Sequence, residues 1–374
     1  MIYRKEKMNN TILNWNEVDH RAIYSRQLKE NPLYYDRNLN AWVVYSYEHC
    51  KTILQHADAL IPPPLIEGAF SENGKLLLKS MARLSNGGQH DTSRAAAMAV
   101  FAKIKLVSAG MILKDILDGI PTGDDFDWVD AVAKQLPVRL LLKGLDFNAD
   151  DSKYVAENLK NLVSIMLPNK TDHDIQWLNP VVDIVYQVAE KYTGILRMLT
   201  GEKQTNEVVI SNLIGLFIQC YDAGRGLLCN SLLNMVKYKG NKITGWNKLV
   251  DETLRHDPPV HNTRRLAATD IAIGGQTIKA GETILVVLAA ANLDENVFTN
   301  PAQFDLTRGN NDQHLTFGLG GHNCLAKHLC IDMAADVCRF LEENYGHIQI
   351  LQREFTYETQ LNVRLVKQLM ISLK

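Results

Sequence analysis

The stretch HLTFGLGGHNCLAKHLCIDMAADVCRFLEENY, residues 314–345, decides the fold. It reads as a glycine-rich loop running into a helix, with Cys324 at the junction. Gly318, Gly320 and Gly321 permit tight positive-φ turns, so the loop amides are expected to converge near the helix start. A helix N-terminus with converging amides favours the thiolate, the form of cysteine that ligates a metal. Two other readings compete at this point. A phosphate cradle would carry GxxxxGK[ST], which the loop does not have. A cysteine nucleophile would want a histidine base held by a third group, a part His322 takes by proximity alone.

Working outward, residues 90–255 are expected to be mainly helical, from apolar-periodic runs such as TSRAAAMAVFAKIKLVSAGMILKDIL and VVDIVYQVAEKYTGILRML. Residues 207–237 read as one helix, apolar on most faces and therefore a core element. Gly224 and Gly226 in its middle predict either a kink or a bulky flat group lying against the backbone. After Pro258–Pro259 the period changes to two, with short strands separated by Gly274–Gly275 and Ala280–Gly281, and residues 355–374 read as a second hairpin region. The expected order is helices, then strands, in a mainly α chain with minor β.

The 374 residues, 46% of them apolar, suffice for one large core. A formal charge of -2 gives no basic field for nucleic acid. No stretch reaches the roughly 18 apolar residues of a membrane span, and the N-terminus shows no apolar leader segment, so the expectation is a cytoplasmic protein. Its six cysteines contain no CxxC pair and fit reduced thiols.

Phe317-Gly318-Leu319-Gly320-Gly321-His322-Asn323-Cys324-Leu325-Ala326 resembles the haem-binding loop of the cytochrome P450 superfamily, FGxGxHxCxG, with Ala326 where the family prefers glycine. Further stretches follow in the family's order across residues 90–330. Glu252-Thr253-Leu254-Arg255 looks like its ExxR element, the segment after Pro258 like its strand region, and AANLDENVFTNPAQFDLTR like its meander. In the meander the family's arginine is replaced by Gln303, and Arg308 is the substitute expected to join Glu252 and Arg255.

The resemblance implies a single P450-like domain over residues 1–374, with haem b (iron protoporphyrin IX) between the long helix and the Cys324 loop. It implies Cys324 as the iron ligand, Phe317, Gly318 and Ala326 as loop residues against the haem, and His90, Arg94, Arg265 and His322 as donors to its propionates. His90 and Arg94, spaced i and i+4, share a helix face. The implied activity is that of a monooxygenase acting on a small organic metabolite, by hydroxylation or oxidative coupling in specialised-metabolite biosynthesis. Electrons would come from a ferredoxin and ferredoxin reductase, steered by cations such as Lys103, Lys105, Lys327 and His328.

One departure bears on the chemistry. Most of the family carry AGx[ED]T on the long helix, and here the match is Ala223-Gly224-Arg225-Gly226-Leu227. Glycine and leucine side chains move no protons. Three readings stay open: protonation assisted by the substrate, direct use of peroxide with Arg225 anchoring a substrate carboxylate, or a non-oxygenating rearrangement or dehydration. For Arg225 the plainer expectation is a salt-bridged side chain. The substrate pocket is expected from Asp222, Ala223, Val260, His261, Asn262 and parts of 60–85 and 159–199, with His261 and Asn262 hinting at a polar substrate. A catalytically silent haem domain that recruits partners is the alternative outside enzymes.

Overall fold

The computed structural model describes residues 13, 14, 16, 19–64, 66, 68–167, 170–200, 205–238 and 245–374, and for 194–200 the backbone alone. Twelve helices are assigned among them: α1 His20–Glu30, α2 Tyr47–Gln55, α3 Glu72–Ser80, α4 Gly87–Phe101, α5 Ala109–Leu117, α6 Leu136–Gly144, α7 Ala149–Val163, α8 Asp172–Thr200, α9 Asn206–Lys237, α10 Trp246–His256, α11 Leu288–Ala291 and α12 Lys327–Asn344. The strands are β1 Leu33–Asp36, β2 Ala41–Val44, β3 Ala59–Leu60, β4 Phe126–Asp127, β5 Thr263–Ala267, β6 Ile271–Ile273, β7 Gln276–Ile278, β8 Thr283–Val286, β9 Ile348–Ile350 and β10 Met370–Leu373. The chain is mainly α with minor β, as expected.

Contacts divide the chain into two compact units. One is Met1–Leu60, Leu113–Ala133 and Asp222–Lys374; the other is Ile61–Ile112 and Lys134–Tyr221. The second unit is helical, with α8 packing on α3, α4 and α7. Its share of α9 is anchored by Asn212, which is 3% exposed: its Nδ2 donates to Ser80 O at 2.9 Å, and its Oδ1 accepts from Ala82 N at 2.9 Å. A buried amide finds such partners because leaving one unpaired costs about 1–3 kcal/mol.

The first unit holds the sheets and the Cys324 loop. Its main sheet has the order β1-β2-β8-β5-β3, with β2 and β8 parallel and the other neighbours antiparallel. Val44, Ile284, Val286 and Leu288 pack on Ile53 of α2 in one core cluster. The order of helices followed by strands is thereby corrected, because β1 and β2 precede most of the helices and pair with a strand far along the chain. β6 and β7 form the hairpin read from the sequence, turning at Gly274 and Gly275 with φ of 57° and 73°. The second hairpin is corrected in detail. β10 pairs antiparallel with β4 and β9, while the arms before it meet only through bridges such as Tyr357 with Val366.

α9 runs through Gly224 and Gly226 without a break. Its apolar residues on successive turns are buried, among them Phe217, Leu227, Leu228 and Leu232. Asn230 Nδ2 donates to Asp257 O at 2.7 Å, tying this end of the helix to the C-terminus of α10.

Candidate active site

α10 carries Glu252 and Arg255 one turn apart, and neither is exposed to solvent. Arg255 Nε and Nη2 donate to the two carboxylate oxygens of Glu252 at 2.8 and 2.7 Å. Its other N–H groups reach Asn292 O at 3.0 Å, Pro301 O at 2.9 Å and Gln303 O at 3.0 Å. All five guanidinium donors are thus used, as a buried arginine requires. Arg308 Nε stands 3.5 Å from Glu252 Oε2, and the Asp305 amide donates to Glu252 Oε1 at 2.9 Å. Gln303 enters this network through its backbone oxygen.

Asn292 is the residue that sequence reading missed. It is fully buried, and its Oδ1 accepts from Leu315 N at 2.7 Å. Its Nδ2 donates to Thr316 Oγ1 at 2.9 Å and to Leu254 O at 3.3 Å. Thr316 Oγ1 donates in turn to Leu254 O at 2.7 Å. One amide therefore fastens the start of the cysteine loop to α10. The sequence signal is no more than an asparagine after AAA, which reads as a helix end.

The loop closes on itself. Gly318 N donates to Leu315 O at 2.8 Å, Asn323 N to Gly320 O at 3.2 Å and Cys324 N to Phe317 O at 2.8 Å. These three amides serve turns of the loop, since a tight loop must satisfy its own backbone. Gly318 and Gly320 have φ of 67° and 69°, and a Cβ on Gly320 would stand 2.7 Å from Leu54 O. Gly321 lies in a short 3-10 turn, Gly320–His322, and takes no positive φ. Cys324 is partly exposed and carries no disulfide. It precedes α12 by three positions, with Ala326 as the N-cap at φ -92°, a conformation open to any residue. Lys327 Nζ sits 6.0 Å from the centre of the Phe317 ring. Burial holds His314, beside that ring, at a pKa of about 3 and hence neutral.

His322 lies in the 3-10 turn of the loop. Arg265 is buried within β5, inside the strand and not ahead of it, and donates to Thr263 Oγ1 at 3.0 Å and Arg264 O at 2.8 Å. In the other unit, His90 and Arg94 occupy one face of α4. His90 is 8% exposed, and burial, then the charge of Arg94, lowers its pKa.

At the centre of α9 the plainer expectation for Arg225, a salt-bridged side chain, holds. A Cβ on Gly226 would stand 2.6 Å from Pro259 Cβ and 2.7 Å from Leu365 Cδ2. What lies against the helix at Gly226 is therefore protein. Leu227 is 2% exposed. Arg225 is 3% exposed and is paired inside the protein, its Nη2 donating to Glu358 Oε1 at 2.8 Å and Val366 O at 2.9 Å. That pairing takes the hydrogen bonds a substrate carboxylate would need at Nη2. Asp222 Oδ1 is 3.8 Å from Arg225 Nη1, and Gln360 Nε2 donates to Asp222 Oδ2 at 3.4 Å. Ala223 adjoins them on the helix.

Val260 bridges Val363 in antiparallel fashion. His261 is 2% exposed, hydrogen-bonded through Nδ1 to the Tyr24 hydroxyl at 3.1 Å, and kept neutral by burial. Asn262 Nδ2 donates to Leu361 O at 2.8 Å. Both side chains thus have a partner inside the protein. Of the two outer pocket stretches, positions 65, 67, 168 and 169 and the side chains of 194–199 lie outside the described residues.

Comparisons with known proteins converge on one superfamily. Residues 241–334 match the family model described as Cytochrome P450. The chain is 28% identical to Cytochrome P450 119 of Sulfolobus acidocaldarius, over 94% of this chain and 98% of that protein. It is 31% identical to the Biotin biosynthesis cytochrome P450 of Bacillus subtilis, over 48% of this chain and 46% of that one. Among solved structures, P450BioI in complex with a fatty acid ligated to acyl carrier protein matches with a TM-score of 0.83 at 23% identity, covering 95% of this chain and 99% of that one. CYP109E1 from Bacillus megaterium, in complex with testosterone, matches with a TM-score of 0.80 at 19% identity over 95% of this chain and 99% of that one. The fold is that of these structures. Together with the Cys324 loop and the saturated Glu252–Arg255 pair, these matches make the chain similar to the cytochrome P450 superfamily, through the family model over residues 241–334 and through its relatives and its fold over nearly the whole chain.

Proposed function

We propose that this enzyme uses haem b to oxidise a small organic metabolite, by hydroxylation or oxidative coupling, in the cytoplasm and as one domain over residues 1–374. The observation that carries the reading is a cysteine on a closed loop fastened by Asn292 to a fully satisfied buried ion pair. The donor set fits the group. Cys324 offers a soft thiol at a helix start, and His90, Arg94, Arg265 and His322 are suitable donors for two propionates.

When bound, thiolate-ligated haem supplies oxidising power toward C–H bonds. The protein's part is to hold the sulfur, place the substrate and admit protons. In this reading the Arg255–Asn292 chain fixes the height of the loop, and Phe317, Gly318 and Ala326 shape the surface beside the sulfur. Ala223, Asp222 and Val260 line the substrate side. Leu227 closes the position of the usual alcohol to water, and Gly226 yields the position of the usual acid to Pro259 and Leu365. Electrons would arrive from a ferredoxin and its reductase.

A peroxide-driven enzyme is the second reading, favoured by the packing that fills position 226. Two comparisons test both. Cys324→Ser should abolish the thiolate signature in the reduced carbon-monoxide spectrum; an unchanged spectrum overturns the assignment. Turnover with ferredoxin, reductase and NAD(P)H, set against turnover with peroxide alone, separates the two oxidants, and no oxidised product under either condition points to a rearrangement or dehydration. A stable partner complex with no spectral response to small molecules would indicate the silent recruiting domain.

A further inference from the structure

A phenol gives up an electron far more readily when its proton can leave in the same step, and the first unit holds a buried phenol with a place to send it. Tyr24 on α1 is 1% exposed, and its hydroxyl stands 3.1 Å from Nδ1 of His261, which is 2% exposed. That separation is within reach of direct proton transfer. Burial pushes the Tyr24 phenol above its ordinary range, so it keeps its proton at rest. Burial, then the charges of His20 and Arg364, hold His261 well below the usual histidine range, so its ring carries a proton on one nitrogen only. His20, one turn before Tyr24, has its ring centre 5.0 Å from that of His261 and is likewise neutral, burial lowering it to about 3. Aromatic rings continue from Tyr24 toward the surface. Tyr45 is fully buried with its ring centre 6.2 Å from that of Tyr24, and Tyr34 stacks on Tyr45 at 6.1 Å with the planes 8° apart. Tyr34 is partly exposed on β1, the edge strand of the main sheet. At its inner end the pair adjoins the proposed site, since His261 follows Val260 directly and leads into β5, which carries Arg265.

We infer that Tyr24 and His261 form a redox-active pair, which returns electrons to the haem when peroxide reacts there with no substrate in place. The inference rests on the haem-thiolate reading. Peroxide takes two electrons and two protons as its O–O bond breaks to give two waters, and without a substrate those electrons are drawn from the haem. Tyr24 replaces one of them. Its O–H bond breaks, the electron goes to the haem and the proton passes to His261 Nδ1, which leaves a neutral phenoxyl radical beside an imidazolium. Burial and Arg364 disfavour that imidazolium, so the proton goes back when Tyr24 is reduced again. The reducing electrons come from ascorbate in solution, each passing inward over Tyr34, Tyr45 and Tyr24 in turn. The net change is peroxide and ascorbate to two waters and dehydroascorbate, and the oxidising equivalents are drained before they attack the haem or Cys324.

The test mixes haem-loaded enzyme, without substrate, with hydrogen peroxide and freezes it for electron paramagnetic resonance. The parent should show a tyrosyl radical. Tyr24→Phe should lower that signal at least threefold and bleach the haem at least twofold faster. His261→Asn, whose amide accepts a hydrogen bond but not a proton, should do the same in smaller measure. Tyr45→Phe should keep the radical and slow its removal by ascorbate at least twofold. The reduced carbon-monoxide spectra taken before peroxide should match throughout; where Tyr24→Phe departs from the parent there, His261→Asn carries the comparison. Should the parent lack that spectrum, the haem-thiolate reading falls and this inference with it. An intact parent spectrum with no tyrosyl signal, or with an equal signal in Tyr24→Phe, sinks this inference alone.

Discussion

The turn of α10 bearing Glu252 and Arg255 and the middle turn of α9 bearing Asp222 and Arg225 are both buried charged sites in the same compact unit, yet they are finished differently. In α10 all five donors of the arginine meet protein acceptors and the carboxylate accepts a further backbone amide. In α9 the arginine is held at Nη2 while its Nε faces no protein acceptor among the described residues. The closed site is one that supports something else, here the cysteine loop. The open one leaves a donor without a protein acceptor among the described residues. A buried ion pair adds little net stability by itself, so the α10 pair is better understood as fixing geometry.

Four changes sharpen or break this contrast. Arg255→Leu strands the Glu252 carboxylate in the interior and should cost about 3–5 kcal/mol, seen as loss of folded, haem-retaining protein; survival with normal haem content would remove the contrast. Asn292→Ala leaves Leu315 N and Thr316 without their partner and should cost about 2–3 kcal/mol in denaturant unfolding, with faster haem loss to an acceptor protein. Gly226→Asp restores the family's letter but must displace Pro259 and Leu365, so it should destabilise by about 1–3 kcal/mol. Stability equal to the parent in Gly226→Asp would show that this site is looser than its packing.

The smallest effect concerns Asp251, beside the closed pair. Burial raises its carboxyl from 3.8 to about 6, Lys327 and His328 oppose this, and Asp312 adds to it. The folded state then binds the proton more tightly than the unfolded state. Stability should fall as pH rises from about 4 to 6 and carry the full penalty above that range. Asp251→Asn should therefore melt about 1–2 °C higher than the parent at neutral pH and alike below pH 4, in calorimetry at matched ionic strength.

What the sequence displayed was local. The glycines before Cys324, the spacing of Glu252 and Arg255 and the long apolar helix each lie within one element, where period and turn chemistry act directly. The rest depended on partners remote in the chain. Four-residue strands such as Ala41–Val44 declare little until they pair, and Asn292 acquires its task only when Leu315 and Leu254 arrive beside it. For Arg225 a salt bridge was the plainer expectation, but its partner Glu358, 133 positions away, could not be named from the sequence. The partners of His261 and Asn262, Tyr24 and the Leu361 carbonyl, are likewise remote in the chain.

The parallel pairing of β2 with β8, in which Trp42 meets Ile284, has a consequence during synthesis. At about 5–20 residues per second the ribosome needs on the order of ten seconds or more to supply the second strand after the first has emerged. Through that interval the early hairpin shows an unpaired edge, and closing so long a loop is slow. Yield of this enzyme in a host should therefore respond to chaperone supply and to lowered growth temperature more than its final stability would suggest.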